Sequence, residues 1–539
     1  MQRSSDGSTR TRYSAGRAVL SDIDRTRPRS GVEGLTELHE LGPDGGLDLH
    51  FPTLSRLRIP DHHPGRAIIG NFDAVTDFAT GSGSAVAIRG RRQVGKSRLV
   101  QEFCDRAGLP YLFFTATKGA SSPAALAAFH TELRESGLAR HDEALLPLDA
   151  PRNWPDGLRL LATVLPSTPC VVVLDELPWL AEQDPLFDGA LQTAWDRLLS
   201  QRPVLLLLLG SDLHMMERLT AYDRPFYGRA DNLALGPLNP AETGKNLGLD
   251  APDAIDAHLV SGGLPGILRA WPHSMPALDF IEAECADPAS PLFGVPESAL
   301  MAEFPAPDQS RRVLEAIGSG ERTHANIAAA AGSQDGVLPS GVLSPILRRL
   351  SQQKQVLAVA SPLSTKPGKP ALHRIADSNL RLYLAALRTA EQLALRGRPD
   401  AAFRVVQRRW AAWRGRAVEP LIRESLELAA VTGDFPWPDT EAVGGWWNRQ
   451  FSPEIDLIGA DRAPVAQTVF FAGSVKWLAG PFDRHDLTAL ERGAAQVPGF
   501  TPGTGGLVVA TLSGTTDIAG ADSVGLVWEP RDVVAAWPA

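Results

Sequence analysis

The amino-acid sequence predicts an α/β protein whose first large domain is a parallel sheet covered by helices on both faces. Apolar runs of strand length alternate with helical stretches between residues 66 and 245: AVAIRG, YLFFTA, CVVVLDE and VLLLLLGS. Uninterrupted apolar strands separated by helices are typical of a sheet that is buried on both sides. A glycine-rich loop, GRRQVGKS, follows the first run directly and precedes a helical stretch, an arrangement that predicts a P-loop NTPase sheet.

Length and composition indicate a multidomain globular protein. The chain has 539 residues, more than a single core accommodates, so three or four domains are expected. Its hydrophobic fraction of 44% and charged fraction of 21% are those of a globular protein. No apolar run approaches the roughly 20 residues that span a bilayer, and the N-terminal stretch MQRSSDGSTRTRYSAGR lacks the apolar core of a secretory signal. These features predict a cytoplasmic protein with no membrane partner.

Shifts in composition along the chain define the predicted domains. Residues 1 to 60, rich in Ser, Gly, Pro, Arg and Asp, are expected to form a loosely ordered arm. The sheet domain, residues 61 to 245, is followed by a helical lid at 246 to 305. Three predicted helices and two short strands at 306 to 385 indicate a winged helix-turn-helix. Residues 400 to 539 are predicted to form a second, small α/β domain.

The third helix and the wing of the predicted winged helix are basic. Between Asp308 and Arg423 the chain carries 19 Lys and Arg against 8 Asp and Glu, a local charge of +11 inside a chain of net charge −9. Such a segment indicates a polyanionic partner, and double-stranded DNA is predicted. Ser344 and Pro345 are expected to open the third helix as its N-cap and first residue. The residues expected to contact DNA are Arg348, Arg349, Gln352 and Lys354 on the helix and Lys366 and Lys369 on the wing.

The loop GRRQVGKS, from Gly90 to Ser97, matches the phosphate-binding pattern G-x-x-x-x-G-K-[ST] in full. The backbone N–H groups of such a loop, and the N-terminus of the helix after it, suit phosphate oxygens. Lys96 is expected to reach the terminal phosphates of the nucleotide, and the Ser97 hydroxyl to hold Mg²⁺. The nucleotide-binding residues predicted from this pattern are Gly90, Gln93, Val94, Gly95, Lys96, Ser97 and Arg98.

Polar residues at the ends of two apolar strands supply the rest of a predicted hydrolytic site. Asp175 is expected to join the magnesium shell, and Glu176 to orient and polarise the attacking water. Ser211, at the end of the following apolar strand, is placed to sense the γ-phosphate. Arg224 and Arg229 are candidates to neutralise charge in the transition state, in cis or across the subunit boundary of a homo-oligomer. The guanine-reading pattern N-K-x-D does not occur in the sequence, so ATP is predicted rather than GTP.

The order of these motifs resembles that of the archaeal-type ATPases of the AAA-like STAND group. The matching segments are GRRQVGKS, VVVLDE, the pair Trp195 and Asp196, GSDLHMM, PFYGR and SGGLPGIL. The resemblance covers roughly residues 66 to 480 and implies an ATP-hydrolysing switch. The sequence departs from the pattern of that group at IIGNFDAV near Gly70, where relatives have Gly-Arg-Glu. The resemblance therefore does not define the contacts on the adenine side of the nucleotide.

In that group the winged helix is commonly followed by a domain that looks like the PD-(D/E)XK nuclease fold. The matching residues are Glu419 on a helix, Asp456 on a strand and Lys476 in GSVKW. Relatives carry Gly-Glu-x-Lys where this chain has Ser474 two residues before the lysine. Nuclease sites of this kind hold Mg²⁺ with carboxylate oxygens, so a hydroxyl at position 474 should lower metal affinity.

A carboxylate from the following helix could replace the missing ligand, as in some restriction endonucleases of this fold. Asp486 and Glu491, 10 and 15 residues after Lys476, are the candidates. The sequence favours a degenerate domain and a DNA-associated ATPase, and leaves two alternatives open: an ATP-controlled metal-dependent endonuclease, and a STAND-like scaffold whose winged helix binds protein. The tryptophans near this site are predicted to be core residues rather than base-stacking platforms: Trp446, Trp447 and Trp477.

Overall fold

The computed structural model describes residues 82–538 with short gaps, together with two paired strands, β1 (Ile59–Pro60) and β2 (Ala67–Ile68). The gaps are residues 140–145, 220, 223, 305–308, 333–335, 369, 433–434, 504, 517 and 519–523. All described residues belong to the unit Phe51–Ala539. The arm predicted at residues 1 to 60 lies outside the described residues, apart from β1. Within the described residues, no helix is long and apolar enough to cross a membrane.

A five-stranded parallel sheet forms the first domain and confirms the predicted fold class. Its strands are β3 (Ser84–Arg89), β4 (Tyr111–Thr115), β5 (Cys170–Asp175), β6 (Val204–Gly210) and β7 (Asp231–Ala234). They lie in the order β4-β5-β6-β3-β7 with every pairing parallel. The four predicted apolar runs are the four strands β3 to β6. In this order β3 and β5 both flank β6, so the residues that follow these strands meet at one edge of the sheet.

Helices cover both faces of this sheet. One face packs against an aromatic cluster in which Trp154 contacts Phe129 at 5.5 Å and Phe187 at 5.1 Å between ring centroids, each in an edge-to-face geometry. The other face packs Val86 and Ile88 against the first helix. The helices are Lys96–Ala107, Ser122–Glu135, Trp154–Val164, Leu177–Gln183, Phe187–Ala194, the π-helical turn Trp195–Leu199, and Leu213–Leu219.

A helical segment follows the sheet where the lid was predicted. Its first helix starts at Pro240, earlier than expected, because Asn239 and Glu242 form a reciprocal capping box. The helices are Pro240–Leu247, Ala251–Ser261, Pro265–Leu268, Ala277–Glu284 and Pro291–Glu303. Their buried side chains form one continuous core with the elements that follow.

Three helices and an antiparallel hairpin, here called the helix–hairpin unit (residues 309–375), come next. The helices are Gln309–Gly318, His324–Ala330 and Ser340–Arg348, the last continued by a π-helical turn at Arg349–Gln353. The hairpin pairs β8 (Leu357–Ala360) with β9 (Leu372–Ile375).

The start of the third helix differs from the sequence prediction. The helix begins at Ser340, and the prediction of Ser344 as N-cap is wrong because Pro345 lies inside the helix. The N–H groups of Val342 and Leu343 donate to the Pro339 carbonyl at 2.9 and 3.0 Å, so an extra turn forms. That turn buries Leu343, whose packing favours the longer helix.

The C-terminal domain is built on a mixed five-stranded sheet. Strands β10 (Ala442–Trp447), β11 (Glu454–Ala460) and β12 (Val469–Lys476) are antiparallel, whereas β13 (Gly506–Thr511) and β14 (Val524–Trp528) continue the sheet in parallel from β12. Its helices and the ones that lead to it are Ser378–Leu382, the π-helical turn Tyr383–Leu387, Arg388–Ala394, the long helix Pro399–Thr432, Arg484–Ala494 and Pro530–Ala535.

The hairpin loop is built into this C-terminal domain. Leu363 donates its N–H to the Gly445 carbonyl at 2.9 Å, and Thr365 donates to Pro498 at 3.1 Å. Ser364 forms a parallel bridge with Val465. Leu363 is 2% exposed and belongs to the core of the mixed sheet. The loop predicted as a wing therefore serves as a joint between two domains.

Candidate functional site

The phosphate-binding loop lies between β3 and the helix Lys96–Ala107. Gln93 and Gly95 adopt left-handed backbone angles, with φ of 67° and 94°. A Cβ at Gly90 would lie 2.4 Å from the Leu235 carbonyl oxygen, so only glycine fits where the loop crosses the end of β7. Val94 is buried among side chains of the lid. The loop is therefore shaped by the sheet below it and fixed to the lid.

Lys96 holds its ammonium inside this loop. The residue is 6% exposed, and Nζ donates to the carbonyl oxygens of Gly90 at 2.7 Å and Arg91 at 3.0 Å. Burial lowers the pKa of Lys96 to about 8, although Glu176 and Asp175 act in the opposite direction. The charge is thus enclosed by the loop whose backbone would surround a phosphate.

Ser97 and Asp175 bring a hydroxyl and a carboxylate together beside the lysine. Ser97 Oγ donates to Asp175 Oδ2 at 2.7 Å, and Asp175 Oδ1 accepts the Glu176 N–H at 2.8 Å. Asp175 is 4% exposed. Hard oxygen donors of these two types suit Mg²⁺, and their contact fits a site in which the hydroxyl binds the ion and the carboxylate lies behind it.

Glu176 is held in a strained conformation next to this pair. Its φ of 54° places a non-glycine residue in the left-handed region, where strain is stored at functional sites. Ser211 Oγ donates to Glu176 Oε2 at 2.9 Å, so the end of β6 fixes the carboxylate that follows β5. The structure therefore brings together Lys96, Ser97, Asp175, Glu176 and Ser211.

The predicted arginines lie elsewhere in the sheet domain. Arg229 donates from Nε and Nη2 to the two carboxylate oxygens of Asp196, at 2.7 and 2.9 Å. Arg224 faces Asp188, whose pKa is raised by burial and lowered by Arg224. Arg98 points outward on its helix and pairs with Glu102 at 3.2 Å. In this arrangement Arg229 is engaged within its own chain.

The basic residues of the helix–hairpin unit separate into two groups. Arg348, Arg349 and Gln352 are exposed together on the third helix and its continuation. Lys354 instead forms an ion pair with Asp212 at 3.2 Å, next to Ser211. Lys366 is exposed, but on the loop that joins the C-terminal domain, and Lys369 lies outside the described residues.

Two contacts between the helix–hairpin side and the nucleotide site were not predicted. Asp212 accepts the Lys354 ammonium with Oδ2, while its Oδ1 caps the next helix by accepting the Met215 N–H at 3.0 Å. Arg91 of the phosphate loop lies 3.7 Å from Asp377, the N-cap of the helix after β9. A lysine directly after the third helix of the helix–hairpin unit gives no sequence signal that it will pair with a residue 142 positions earlier.

Asp456 and Ser474 meet on neighbouring strands of the C-terminal sheet. Ser474 Oγ donates to Asp456 Oδ2 at 3.1 Å, and the Val475 N–H donates to the same oxygen at 2.9 Å. Burial raises the pKa of Asp456, and these two hydrogen bonds act against that rise. Ser474 and the Val475 backbone therefore stabilise the Asp456 carboxylate with hydrogen bonds from within the protein.

Arg423 occupies the space between Glu419 and Asp456. Its Nη2 donates to Glu419 Oε2 at 3.3 Å, and its Nε donates to the Asp456 carbonyl at 2.9 Å. Burial also raises the pKa of Glu419, while Arg423 lowers it. In the part of the chain that the structure describes, no three His, Cys, Asp or Glu side chains group as a metal site. An internal guanidinium thus supplies positive charge beside these carboxylates.

The lysine and the candidate replacement carboxylate form an ion pair of their own. Lys476 Nζ bonds Asp486 Oδ2, and the same oxygen accepts the Asp483 N–H at 3.1 Å in a capping box. Glu491 is exposed on the same helix. The prediction that the nearby tryptophans are core residues is confirmed by their exposures of 8%, 3% and 1%: Trp446, Trp447 and Trp477.

Comparison with known proteins gives distant similarities. No family model matches the sequence. An uncharacterized protein of Methanocaldococcus jannaschii is 25% identical over 295 residues, which cover 53% of this chain and 64% of that protein. The chain therefore spans less than two thirds of the length of this relative.

Solved structures with similarity to the chain include two archaeal proteins. A Walker-type ATPase of Pyrococcus abyssi has a TM-score of 0.38 and 17% identity, covering 61% of this chain and 99% of that chain. The ORC2 protein of Aeropyrum pernix, solved as ADPNP–ADP complexes, has a TM-score of 0.37 and 13% identity. The similarity covers 61% of this chain and 91% of that chain.

Proposed function

We propose that the protein is a magnesium-dependent ATPase that associates with double-stranded DNA through the exposed arginines of its helix–hairpin unit. The observation that carries the proposal is the contact of Ser97 with Asp175 beside the enclosed Lys96 ammonium. Glu176, held by Ser211, adds the carboxylate that a hydrolase requires in addition to a nucleotide cradle.

Each residue of the site has a defined task in hydrolysis. Lys96 would donate its hydrogen bonds to the terminal phosphates in place of the Gly90 and Arg91 carbonyl oxygens. Ser97 and Asp175 would hold Mg²⁺, which neutralises phosphate charge when bound. Glu176 would orient and polarise the attacking water once Ser211 releases it. If Arg229 neutralises the transition state, in cis or in a homo-oligomer, its pair with Asp196 has to open first.

Contacts between domains offer a route from the nucleotide to DNA. Ser211 bonds Glu176, and its neighbour Asp212 bonds Lys354, which directly follows the turn that carries Arg349. A change at the γ-phosphate end of the site would therefore act on the orientation of the exposed arginines. This path supports a switch role, in which ATP turnover alters how DNA is held.

Affinity for ATP should fall in alkaline solution because of Lys96. Its pKa of about 8 in the free protein would rise on contact with phosphates, so binding takes up a proton above pH 8. Below that pH, Lys96 is protonated in both the free and the ATP-bound protein, so the affinity for ATP does not change with pH. Above it, the affinity for ATP falls by up to about tenfold per pH unit. Calorimetric titration of ATP with Mg²⁺ at pH 7, 8 and 9 measures this dependence. Equal affinity at all three values would contradict the assignment.

DNA binding should weaken when the exposed arginines are removed. The variant Arg348→Gln with Arg349→Gln loses two phosphate contacts, so the slope of log affinity against log salt should decrease by about 2. Fluorescence anisotropy of a labelled duplex over a range of salt concentrations gives this slope. The control, Arg152→Gln with Arg202→Gln, removes two exposed arginines from the sheet domain. If both variants keep the wild-type slope, DNA does not bind at this helix.

The C-terminal domain should not cleave DNA. Arg423 already contacts Glu419 and the Asp456 backbone, and Ser474 contributes no charge, so capture of a divalent cation is disfavoured. Supercoiled plasmid incubated with the protein, ATP and Mg²⁺ or Mn²⁺ is expected to remain intact. Nicking that disappears in Asp456→Ala would instead establish the endonuclease alternative, with Asp486 as the migrated carboxylate.

A further inference from the structure

A cavity of about 200 Å³ lies between two helices of the sheet domain that follow the hydrolytic residues. The helix Leu177–Gln183 begins directly after Glu176, and the helix Leu213–Leu219 begins two residues after Ser211. Both helices line the cavity with buried apolar side chains, among them Leu177, Met216 and Leu219. The volume is below the roughly 300–1,000 Å³ of pockets for drug-sized ligands, so the cavity suits a molecule the size of one amino acid.

Asp188 places a carboxylate on this cavity, in the first turn of the helix Phe187–Ala194. Its Oδ1 is buried, and no described residue donates a hydrogen bond to it. Burial raises the pKa of Asp188, whereas Arg224 and Arg218 lower it. A buried acceptor without a donor destabilises the fold, and a donor that reaches the carboxylate from the cavity would offset this cost.

Two cations share the cavity with this carboxylate. Arg218 is exposed and Arg224 is half-buried, and both line the same space as Asp188. The cavity therefore combines an apolar wall, one acidic group and two basic groups within a volume that holds one small molecule.

This combination selects a ligand with two differently charged ends. A simple anion would be repelled by Asp188, a simple cation would be repelled by the arginines, and an apolar molecule would leave the carboxylate without a donor. An ammonium group suits Asp188, and a carboxylate suits the planar forks of Arg218 and Arg224. An aliphatic or thioether side chain on the same molecule would pack on the apolar wall.

We propose that this cavity binds a small zwitterion with an apolar side chain, that is, an apolar α-amino acid. A bound molecule would hold the two helices together and so stabilise the 2.9 Å contact between Ser211 and Glu176, the residues that precede them. Since Glu176 has to leave Ser211 to orient the attacking water, occupancy of the cavity would slow ATP turnover. Binding goes beyond the proposed function, and only the effect on turnover rests on it.

Calorimetric titration of the full chain with L-leucine and with L-methionine tests the site. At least one of the two should bind saturably. Two compounds with the same carbon skeleton control for the charged ends of L-leucine: 4-methylpentanoate lacks the ammonium and isopentylamine lacks the carboxylate. Each should bind at least about tenfold more weakly than L-leucine, because a charge-assisted contact is lost. Absence of binding by both amino acids, or equal binding of either one-ended compound, would overturn the proposal.

Three variants locate the binding event. Asp188→Asn keeps the shape of the side chain and removes its charge, so affinity for the amino acid should fall at least about tenfold. Arg218→Gln should also weaken binding, and because Arg218 is exposed this variant keeps the test open if Asp188→Asn does not fold. The control Glu182→Gln removes an exposed carboxylate from the helix Leu177–Gln183 and should keep the wild-type affinity. Wild-type affinity in the folded Asp188 and Arg218 variants would show that the amino acid binds elsewhere.

Phosphate release under saturating ATP and Mg²⁺ tests the effect on turnover. A saturating concentration of the amino acid that binds should slow the wild-type protein and Glu182→Gln by about fivefold or more, the range of a typical coupling between two sites. Asp188→Asn should not respond at the same concentration. Binding without any change in turnover would overturn the regulatory role. Because the calorimetric titration needs no ATP, a wild-type protein without turnover would contradict the proposed function while the binding result still decides the site.

Discussion

Replacing Lys96 with alanine should lower the rate of ATP hydrolysis by at least about 100-fold, the loss typical of removing one preorganised donor from a transition state. The residue is 6% exposed and its ammonium is held by two loop carbonyls, so the variant removes an enclosed positive charge from the site. Phosphate release under saturating ATP and Mg²⁺ measures the effect. Because the loop also loses two hydrogen bonds, nucleotide affinity should fall as well.

A matched control and a second variant separate binding from chemistry. Arg106→Ala removes an exposed cation from the same helix and should leave turnover near the wild-type value. Glu176→Gln should retain ATP binding, because the Glu176 carboxylate accepts its hydrogen bond from Ser211 and none from Lys96 or Ser97, and should lose turnover. Turnover by Lys96→Ala at the wild-type rate would disprove the nucleotide site.

Replacing Arg423 with alanine should destabilise the C-terminal domain by about 3 kcal/mol, the cost of leaving a buried carboxylate without its partner. Arg423 is 18% exposed and Glu419 is 24% exposed, so water only partly compensates. Thermal unfolding followed by tryptophan emission should show a decrease of roughly 6–12 °C. Trp446, Trp447 and Trp477 contribute to this signal because all three are buried in or beside the sheet of the C-terminal domain.

The pH dependence of this defect has a definite sign. Burial raises the pKa of Glu419 and Asp456 in the folded protein, so the folded state binds protons more tightly than the unfolded state. Stability therefore falls as the pH rises through these values, and the loss in Arg423→Ala should be larger at pH 8 than at pH 5. Adding Glu419→Gln should restore part of the stability. A pH-independent defect that Glu419→Gln does not relieve would indicate lost packing instead.

Much of the sheet domain could be predicted because its signals are local. Runs such as VLLLLLG specify a strand buried on both faces, and parallel packing brings the ends of β5 and β6 to one edge. The 2.7 Å contact between Ser97 and Asp175 joins residues 78 positions apart, yet it follows from this topology. Strand β7 was missed because DNLA is short and polar at its start, and its place depends on pairing with β3.

The source of positive charge in the C-terminal site could not be predicted from the sequence. Ser474 indicated that a ligand was missing, but not that Arg423, on a helix preceding the sheet, would supply the charge instead. The same limit applies to Lys354, which was expected to contact DNA and instead forms an ion pair with Asp212. These contacts depend on how helices of different domains pack, which no local pattern encodes.

Because Leu363 and Ser364 pack into the C-terminal domain, expressing the preceding part of the chain alone would expose groups that are buried in the full protein. A fragment that stops before residue 399 would leave Leu363 and the Pro370 carbonyl, which accepts the Trp447 indole N–H at 2.8 Å, facing solvent. The severed hairpin would then present an unsatisfied edge that invites self-association. Cutting the chain at the sequence-defined boundary therefore breaks a folding unit rather than isolating one.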